Sequence, residues 1–228
     1  MQGVTEDTLK VLEVIKDYKE LEQYFLIGGT ALAIKLGHRL SEDLDLFTYR
    51  KFPGSRFNLP NLDEIFAKFK SDFSEIKTEH YEKTDVTIYL DGIKVQLRAE
   101  NQFHGPKKVD SIGHIGLPNE AELLGMKLVA LSLRDTWRDI FDLTHLVDKF
   151  DYEDFPKAYN SIMSSKYTGS KNGKKKLYNA TISKLKDENL LEKLYRNDPM
   201  EGLITNREVT PKIVLEKFAA LTYIEVKD

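Results

Sequence analysis

The stretch YFLIGGTALAIKLGHRLSEDLDLFTY, residues 24–49, limits the fold more than any other part of the chain. A short apolar run, 24–28, ends at two adjacent glycines, Gly28 and Gly29. TALAIKLG follows, rich in Ala and Leu and stopping at Gly37, which is how a helix is built and ended. In LDLFTY the side chains alternate, so Leu44, Leu46 and Thr48 face one side while Asp43, Asp45 and Phe47 face the other. Strand, Gly-Gly turn, helix and strand in that order require a sheet and exclude an all-helical bundle for this half of the chain.

The flanking segments extend the same reading. Leu9, Leu12, Ile15 and Tyr18 recur at helical spacing, which predicts an amphipathic helix over 8–22 capped by Asp7 or Thr8. KFPGSRFNLP is a loop by its Pro and Gly, and Asn61 with Glu64 forms a capping-box pattern for a helix carrying Leu62, Ile65, Phe66, Phe69 and Phe73. EIKTEHYE reads as a strand, and TIYL-DG-IKVQL as a hairpin, because Asp-Gly accepts the positive φ angles of a two-residue turn. From Asn119 the pattern is helical, beginning with Asn119 and Glu122 as a second capping box. A domain boundary is expected near Pro118, preceded by the Gly- and His-containing stretch FHGPKKVDSIGHIGL.

The expected fold class is therefore α+β: a small mixed sheet flanked by helices over residues 1–117, and a helical C-terminal domain over 118–228. SSKYTGSKNGKKK, 164–176, reads as an exposed, mobile connection. Its lysines, with Tyr167 and Tyr178, are a candidate grip on RNA, and a solvated loop is the better reading. His80, His104, His114 and His145 show no metal-ligand spacing. The late patterns LLEKLY and PKIVLEKFAALTYI read as core packing.

At 228 residues, 41% of them hydrophobic, the chain can bury a core. Its N-terminus mixes charges with apolar residues and no apolar run reaches the roughly 18 residues of a membrane span, so a cytoplasmic location with no membrane partner is expected. The absence of cysteine excludes disulfides, a thiol nucleophile and thiolate-bound zinc. A net charge of −3 does not advertise a nucleic-acid-binding surface.

Chemistry enters with the glycines and the acids. A glycine pair at a strand end lets backbone N–H groups approach a polyphosphate, and the next helix N-terminus adds partial positive charge. Asp43 and Asp45, two apart on a strand, project from one face about 7 Å apart, a span suited to Mg²⁺ bridged by phosphate oxygens. Both features fit one ligand, a metal-bound nucleoside triphosphate. In the loop leading to the acids, Arg39 can pair with them or bind substrate, and Ser41 can brace the loop.

GGTALA followed by GHRLSEDLDLF resembles the minimal nucleotidyltransferase superfamily, and within it the AbiEii/AbiGii toxin family. MKLVALSLRDTWRDIFDLTHL, 126–146, is similar to that family's second region. The resemblance covers roughly residues 24–148 and implies a nucleotidyltransferase fold over 1–117 with the helical domain, 118–228, completing the cleft. It implies that Gly28, Gly29 and Thr30 contact the triphosphate, that Asp43 and Asp45 bind Mg²⁺, and that Lys127 faces the phosphates. It also places Arg138, Asp139 and Asp142 on one side of the following helix, where they orient Lys127 or contact nucleotide, and marks Asp142 with Lys127 as catalytic. An ordinary surface ion pair is the competing reading of Arg138 with Asp142. The position aligned with the third carboxylate of a full acidic triad holds Gln96, whose amide can coordinate a metal but cannot serve as a general base.

The implied activity is transfer of an NMP group from an NTP to a hydroxyl of RNA, tRNA in particular, or of protein. The implied role is that of a toxin in a toxin–antitoxin or phage-defence system with a cognate antitoxin. The alternative is a nucleotide-binding pseudoenzyme that acts through a protein partner.

Overall fold

The computed structural model describes residues 3–49, 57–107, 110–198, 200, 203 and 208–225, without the side chains of 165 and 166. The expected loop at KFPGSRFNLP lies largely outside these residues. Two compact units divide at the same point where the sequence turns helical, Met1–Asn119 and Glu120–Asp228.

In the first unit the hairpin organises the sheet. Asp91 and Gly92 take φ of 46° and 85°, joining β4 (Asp85–Leu90) to β5 (Ile93–Glu100). Thr87 pairs with Gln96 and Asp85 with Arg98. The strand β3 (Ile76–Tyr81) adds antiparallel to β4 with a bulge between Thr78 and His80. On the other side β5 runs parallel to β2 (Leu44–Tyr49), with Asp45 opposite Gln96 and Phe47 opposite Arg98. The order across seven strands is β3-β4-β5-β2-β1-β7-β6, with β1 at Phe25–Leu26, β6 at Asp110–Ile112 and β7 at Ile115–Leu117.

One face of this sheet carries Leu44, Leu46, Val86, Ile88, Val95 and Leu97, all fully buried. Helix α1 (Glu6–Ile15) buries Val11, Leu12 and Ile15 and packs on β5, and α3 (Leu62–Asp72) buries Ile65 and Phe69. Helix α2 (Gly28–Leu36) lies between β1 and β2 in the chain and ends at Gly37, which takes φ 60°.

Several expectations change. The first helix starts earlier and is shorter than 8–22, because the Thr5 side chain caps it by accepting from the Thr8 amide; extended backbone at Tyr18 then separates a 3₁₀ turn, Lys19–Leu21. Asn61 does not form the capping box: it takes φ 54° and its Nδ2 donates to the Glu20 carbonyl. The stretch just ahead of the boundary holds two strands that the sequence did not announce, β6 and β7, three residues each and too short for alternation to show. Gly116 in β7 leaves room for the Phe25 ring, which would lie 2.7 Å from a Cβ at that position.

The second unit has no strand among its described residues. Its helices are α4 (Glu120–Leu133), α5 (Trp137–Leu146), α6 (Asp154–Ile162), α7 (Ser165–Thr168), α8 (Lys171–Lys184), α9 (Glu188–Asn197) and α10 (Pro211–Phe218). Helix α4 is central and packs on α5, α6 and α8. The segment read as a mobile connection is therefore helical: Ser170 accepts from the Gly173 amide and starts α8. Tyr178 is buried with its ring edge-on to Tyr159, so it has no free face on which a base could stack.

Candidate active site

The first group of candidate residues is assembled by the turn into α2 and by β2. The alternation expected for LDLFTY is observed: Leu44, Leu46 and Thr48 are buried, Asp45 and Phe47 are half-buried, and Asp43 just ahead of the strand is exposed. Gly28 begins α2 with φ 70°, and Ile27 supplies no side-chain cap to this helix. A Cβ on Gly28 would lie 2.8 Å from Asp45 Oδ2, and one on Gly29 only 2.0 Å from a terminal nitrogen of Arg39. The two glycines thus make room for two side chains of this chain, a carboxylate over one Cα and a guanidinium over the next. A carboxylate at the N-terminal end of a helix is favoured by the partial positive charge there.

The loop carrying Arg39 and Ser41 is held from both sides. Thr30 Oγ1 bonds to Ser41 Oγ at 2.8 Å and donates to the Asp43 carbonyl. Ser41 N donates to the Gly3 carbonyl at 3.0 Å, Thr5 N to the Ser41 carbonyl at 3.2 Å, and Thr8 Oγ1 to the Glu42 carbonyl at 3.0 Å. Arg39, 4% exposed, also donates to the Leu40 carbonyl. Residues 3–8 are therefore laced onto the segment that presents the acids. Thr30 and Ser41 act on the backbone of that loop, and their hydroxyls are engaged there.

Asp43 borders a cavity of about 360 Å³ shared with Glu42, Tyr89 and Lys94. Gln96 lies beside Asp45 in the β2–β5 register and so on the same sheet face. Its Nε2 donates to Asp85 at 3.1 and 3.4 Å. Arg98 lies 3.9 Å from Asp85 and 3.8 Å from Glu100, with its guanidinium over the Phe47 ring. Asp85 was not among the sequence candidates, yet counting outward from the Asp-Gly turn places it diagonal to Gln96.

Asp45 and Gln96 on one face, with Asp43 two residues ahead of Asp45, offer only oxygen donors, a set that suits Mg²⁺ completed by phosphate oxygens and water. Among the described residues no cluster of three or more His, Cys, Asp or Glu is arranged to hold a metal by itself.

The second group lies within the helical unit. Lys127 Nζ reaches Asp139 Oδ1 at 2.9 Å and Asp142 Oδ2 at 2.6 Å, and all three side chains are buried. Arg134 adds Nε to Asp139 Oδ2 at 2.8 Å, and Thr136 Oγ1 donates to the same oxygen at 2.7 Å. Burial alone would push the Asp139 carboxyl up, but the Lys127 ammonium, the Arg134 guanidinium and the Thr136 hydroxyl together hold it well below the usual carboxylate range. Asp139 and Asp142, read from the sequence as orienting Lys127 or contacting nucleotide, are both ion-paired with it. Arg138 departs from that reading. Adjacent to Asp139 on the helix, Arg138 points outward and pairs with Asp198 at 3.2 Å rather than with Asp142. Arg134, which the sequence reading missed, takes the place beside Asp139; its signal was a charged residue just ahead of the Asp-Thr that opens α5.

Comparison with known proteins adds the following. The chain matches the sequence family described as "Nucleotidyl transferase AbiEii toxin, Type IV TA system" over residues 10–203. It is 26% identical over 170 residues to an uncharacterized protein, aq_aa25, of Aquifex aeolicus (strain VF5), covering 73% of this chain and 77% of the relative. Among solved structures it is similar to MenT4, nucleotidyltransferase toxin Rv2826c from Mycobacterium tuberculosis H37Rv, with a TM-score of 0.49 and 15% identity, covering 94% of this chain and 84% of that one.

Proposed function

The chain belongs to the AbiEii nucleotidyltransferase toxin family of type IV toxin–antitoxin systems, and from that premise we propose that it moves an NMP group from a Mg²⁺-bound NTP to a hydroxyl of RNA or protein. The observation that carries the proposal is the Asp45 carboxylate packed against Gly28 at the start of α2, with Asp43 two residues earlier. That arrangement supports a phosphate chain lying along the first turn of the helix and beside the acids.

Asp43 and Asp45 would hold the ion, and Gln96 stands in the third position with a neutral oxygen. Bound Mg²⁺ supplies charge neutralisation for the phosphates, a contribution of several kcal/mol. The Gly28, Gly29 and Thr30 amides and the Arg39 guanidinium bind and orient the triphosphate, and Ser41 keeps Arg39 and Asp43 in place. Lys127 and Asp142 enter as a second catalytic group, Lys127 countering charge on the departing pyrophosphate. Its ammonium is already matched by two carboxylates, so phosphate would compete with Asp139 and Asp142 for it. Arg138 and Asp139 are kept as substrate-side positions, Arg138 as an exposed cation and Asp139 as the anchor of Lys127. In this reading residues 1–117 form the catalytic domain and 118–228 the helical domain. The acceptor is tRNA or protein, a cognate antitoxin is the regulatory partner, and the site of action is the cytoplasm. No helix among the described residues is long and apolar enough to cross a membrane.

The test is label transfer. Incubating the protein with labelled NTPs, Mg²⁺, and cellular RNA or protein is expected to label an acceptor, and the Asp43→Ala, Asp45→Ala double variant to lose at least a hundredfold of that rate. Equal transfer by both proteins would refute the assignment. Calorimetric NTP binding that needs Mg²⁺ but gives no transfer would favour the pseudoenzyme alternative, for which Gln96 is the motivating residue.

A further inference from the structure

Resting on the Asp43–Asp45 site proposed above, we propose that Asp85 is a positioning residue: it fixes the Gln96 amide so that its carbonyl oxygen serves the acids as a neutral third ligand. An ionised carboxylate only accepts hydrogen bonds, and a side-chain amide has one donating and one accepting end. Gln96 Nε2 lies 3.1 Å from Asp85 Oδ1 and 3.4 Å from Oδ2, so the NH₂ must be the end that meets Asp85. The flip of the amide is thereby decided by chemistry. The oxygen is left to the other side of the side chain, and Gln96 lies on β5 between β4, which carries Asp85, and β2, which carries Asp45.

Asp85 cannot be the missing third ligand itself. Its strand is two inter-strand spacings from β2, about 10 Å, and in register it stands opposite Arg98 rather than Gln96. Arg98 and Glu100 complete the support: Arg98 lies between the Asp85 and Glu100 carboxylates, at 3.9 and 3.8 Å, and stacks on Phe47, which follows Asp45 by two residues on β2. Behind the site there is therefore a chain of contacts from the Gln96 amide to the Asp85 carboxylate to the Arg98 guanidinium, in place of a third negative charge.

The arrangement explains what would happen if the triad were simply restored. A carboxylate at position 96 would face Asp85 across the same short contact, and two like charges at that distance repel. Acid and amide must be exchanged together. In the Asp85→Asn, Gln96→Glu double variant the new amide at 85 can donate to the new carboxylate at 96, and the contact is preserved with its polarity reversed.

The experiment measures free Mn²⁺ by electron paramagnetic resonance during titration of the full-length protein in the presence of a non-hydrolysable NTP. Thermal unfolding is recorded for each variant. Replacing an outer partner of a metal ligand weakens binding about 10–100-fold. Asp85→Leu, which removes the acceptor, and Gln96→Leu are each expected to raise the Mn²⁺ dissociation constant about tenfold, with no further loss when combined. Gln96→Glu alone should bind no better than Gln96→Leu, and the exchanged double variant should return to within about threefold of wild type. A merely structural contact would move the melting temperature and leave this recovery absent. Wild-type Mn²⁺ affinity in a folded Asp85→Leu protein, or Gln96→Glu binding as tightly as the exchanged variant, overturns the inference. Should Asp85→Leu fail to fold, the comparison of Gln96→Glu with the exchanged variant decides it alone. Affinity that is also unaffected by Asp45→Ala would instead locate the failure in the underlying site.

Discussion

At the scale of single residues, the glycine pair shows how one motif can serve two purposes. Gly28 and Gly29 read from sequence as a bare backbone for phosphate, and the structure adds that each lies under a side chain, Asp45 over the first and Arg39 over the second. A methyl group on Gly29 would lie 2.0 Å from the Arg39 guanidinium, whose other arm is tied to the Leu40 carbonyl. The guanidinium end of a long side chain can move aside, so the cost falls on the site and less on the fold. Gly29→Ala is accordingly expected to lower label transfer by about tenfold or more through Arg39, consistent with the loss of one oriented charge contact near a reacting phosphate, while shifting the melting temperature by only a few degrees. A melting temperature lowered by ten degrees or more, with activity falling in proportion to unfolded protein, would reject this. Arg138, Asp139 and Asp142 were visible as charges at helical spacing, and Lys127 through the family resemblance. That Arg138 turns outward to Asp198 while Arg134 takes the inner place was not, because spacing alone does not say which side of a helix faces the core.

Among the elements, helix α4 carries the clearest conflict between local preference and packing. Gly125 sits in its interior, where glycine costs about 1 kcal/mol relative to alanine. A Cβ there would lie 2.3 Å from the Ala158 carbonyl oxygen and 2.8 Å from the Ile162 side chain, so the residue allows α4 and α6 to approach backbone to backbone. Backbone cannot swing aside as a guanidinium can. Gly125→Ala should therefore destabilise the chain by about 1–3 kcal/mol despite the gain in helix propensity, measured as a lower denaturation midpoint in urea; unchanged or increased stability would show that the helices separate freely. The β4–β5 hairpin is the opposite case. The Asp91-Gly92 turn alone implies the register that places Thr87, Gln96, Asp85 and Arg98, and the observed pairing follows it.

For the whole molecule, the buried charges of the helical unit couple its stability to pH. The Asp139 carboxyl is held below its unfolded value, so below roughly pH 4, the ordinary range of an aspartate, the unfolded chain binds the proton that the folded chain refuses. The stabilisation is complete above that range and is lost as the pH falls through it and further. Urea denaturation between pH 6 and pH 2.5 should show stability falling on the acid side by up to about 1.4 kcal/mol per pH unit for this one group, and Asp139→Asn should flatten that limb while lowering stability at neutral pH. An acid limb of unchanged slope in the variant would assign the effect to other carboxylates. The sequence by itself determined the order of strand, turn, helix and strand, the alternation along Leu44–Tyr49, the hairpin and the change to helices near Asn119, since these follow from alternation, helical period and turn chemistry over a few neighbouring residues. Tertiary structure alone decided that Asp45 lies beside Gln96, that Asp85 holds that amide, that Arg39 covers Gly29, and that three-residue strands complete the sheet. Each of those depends on which distant segments pair. Parallel pairing of β2 with β5 is selected by the burial of Leu44, Leu46, Val95 and Leu97 together, a collective energy that no local pattern encodes.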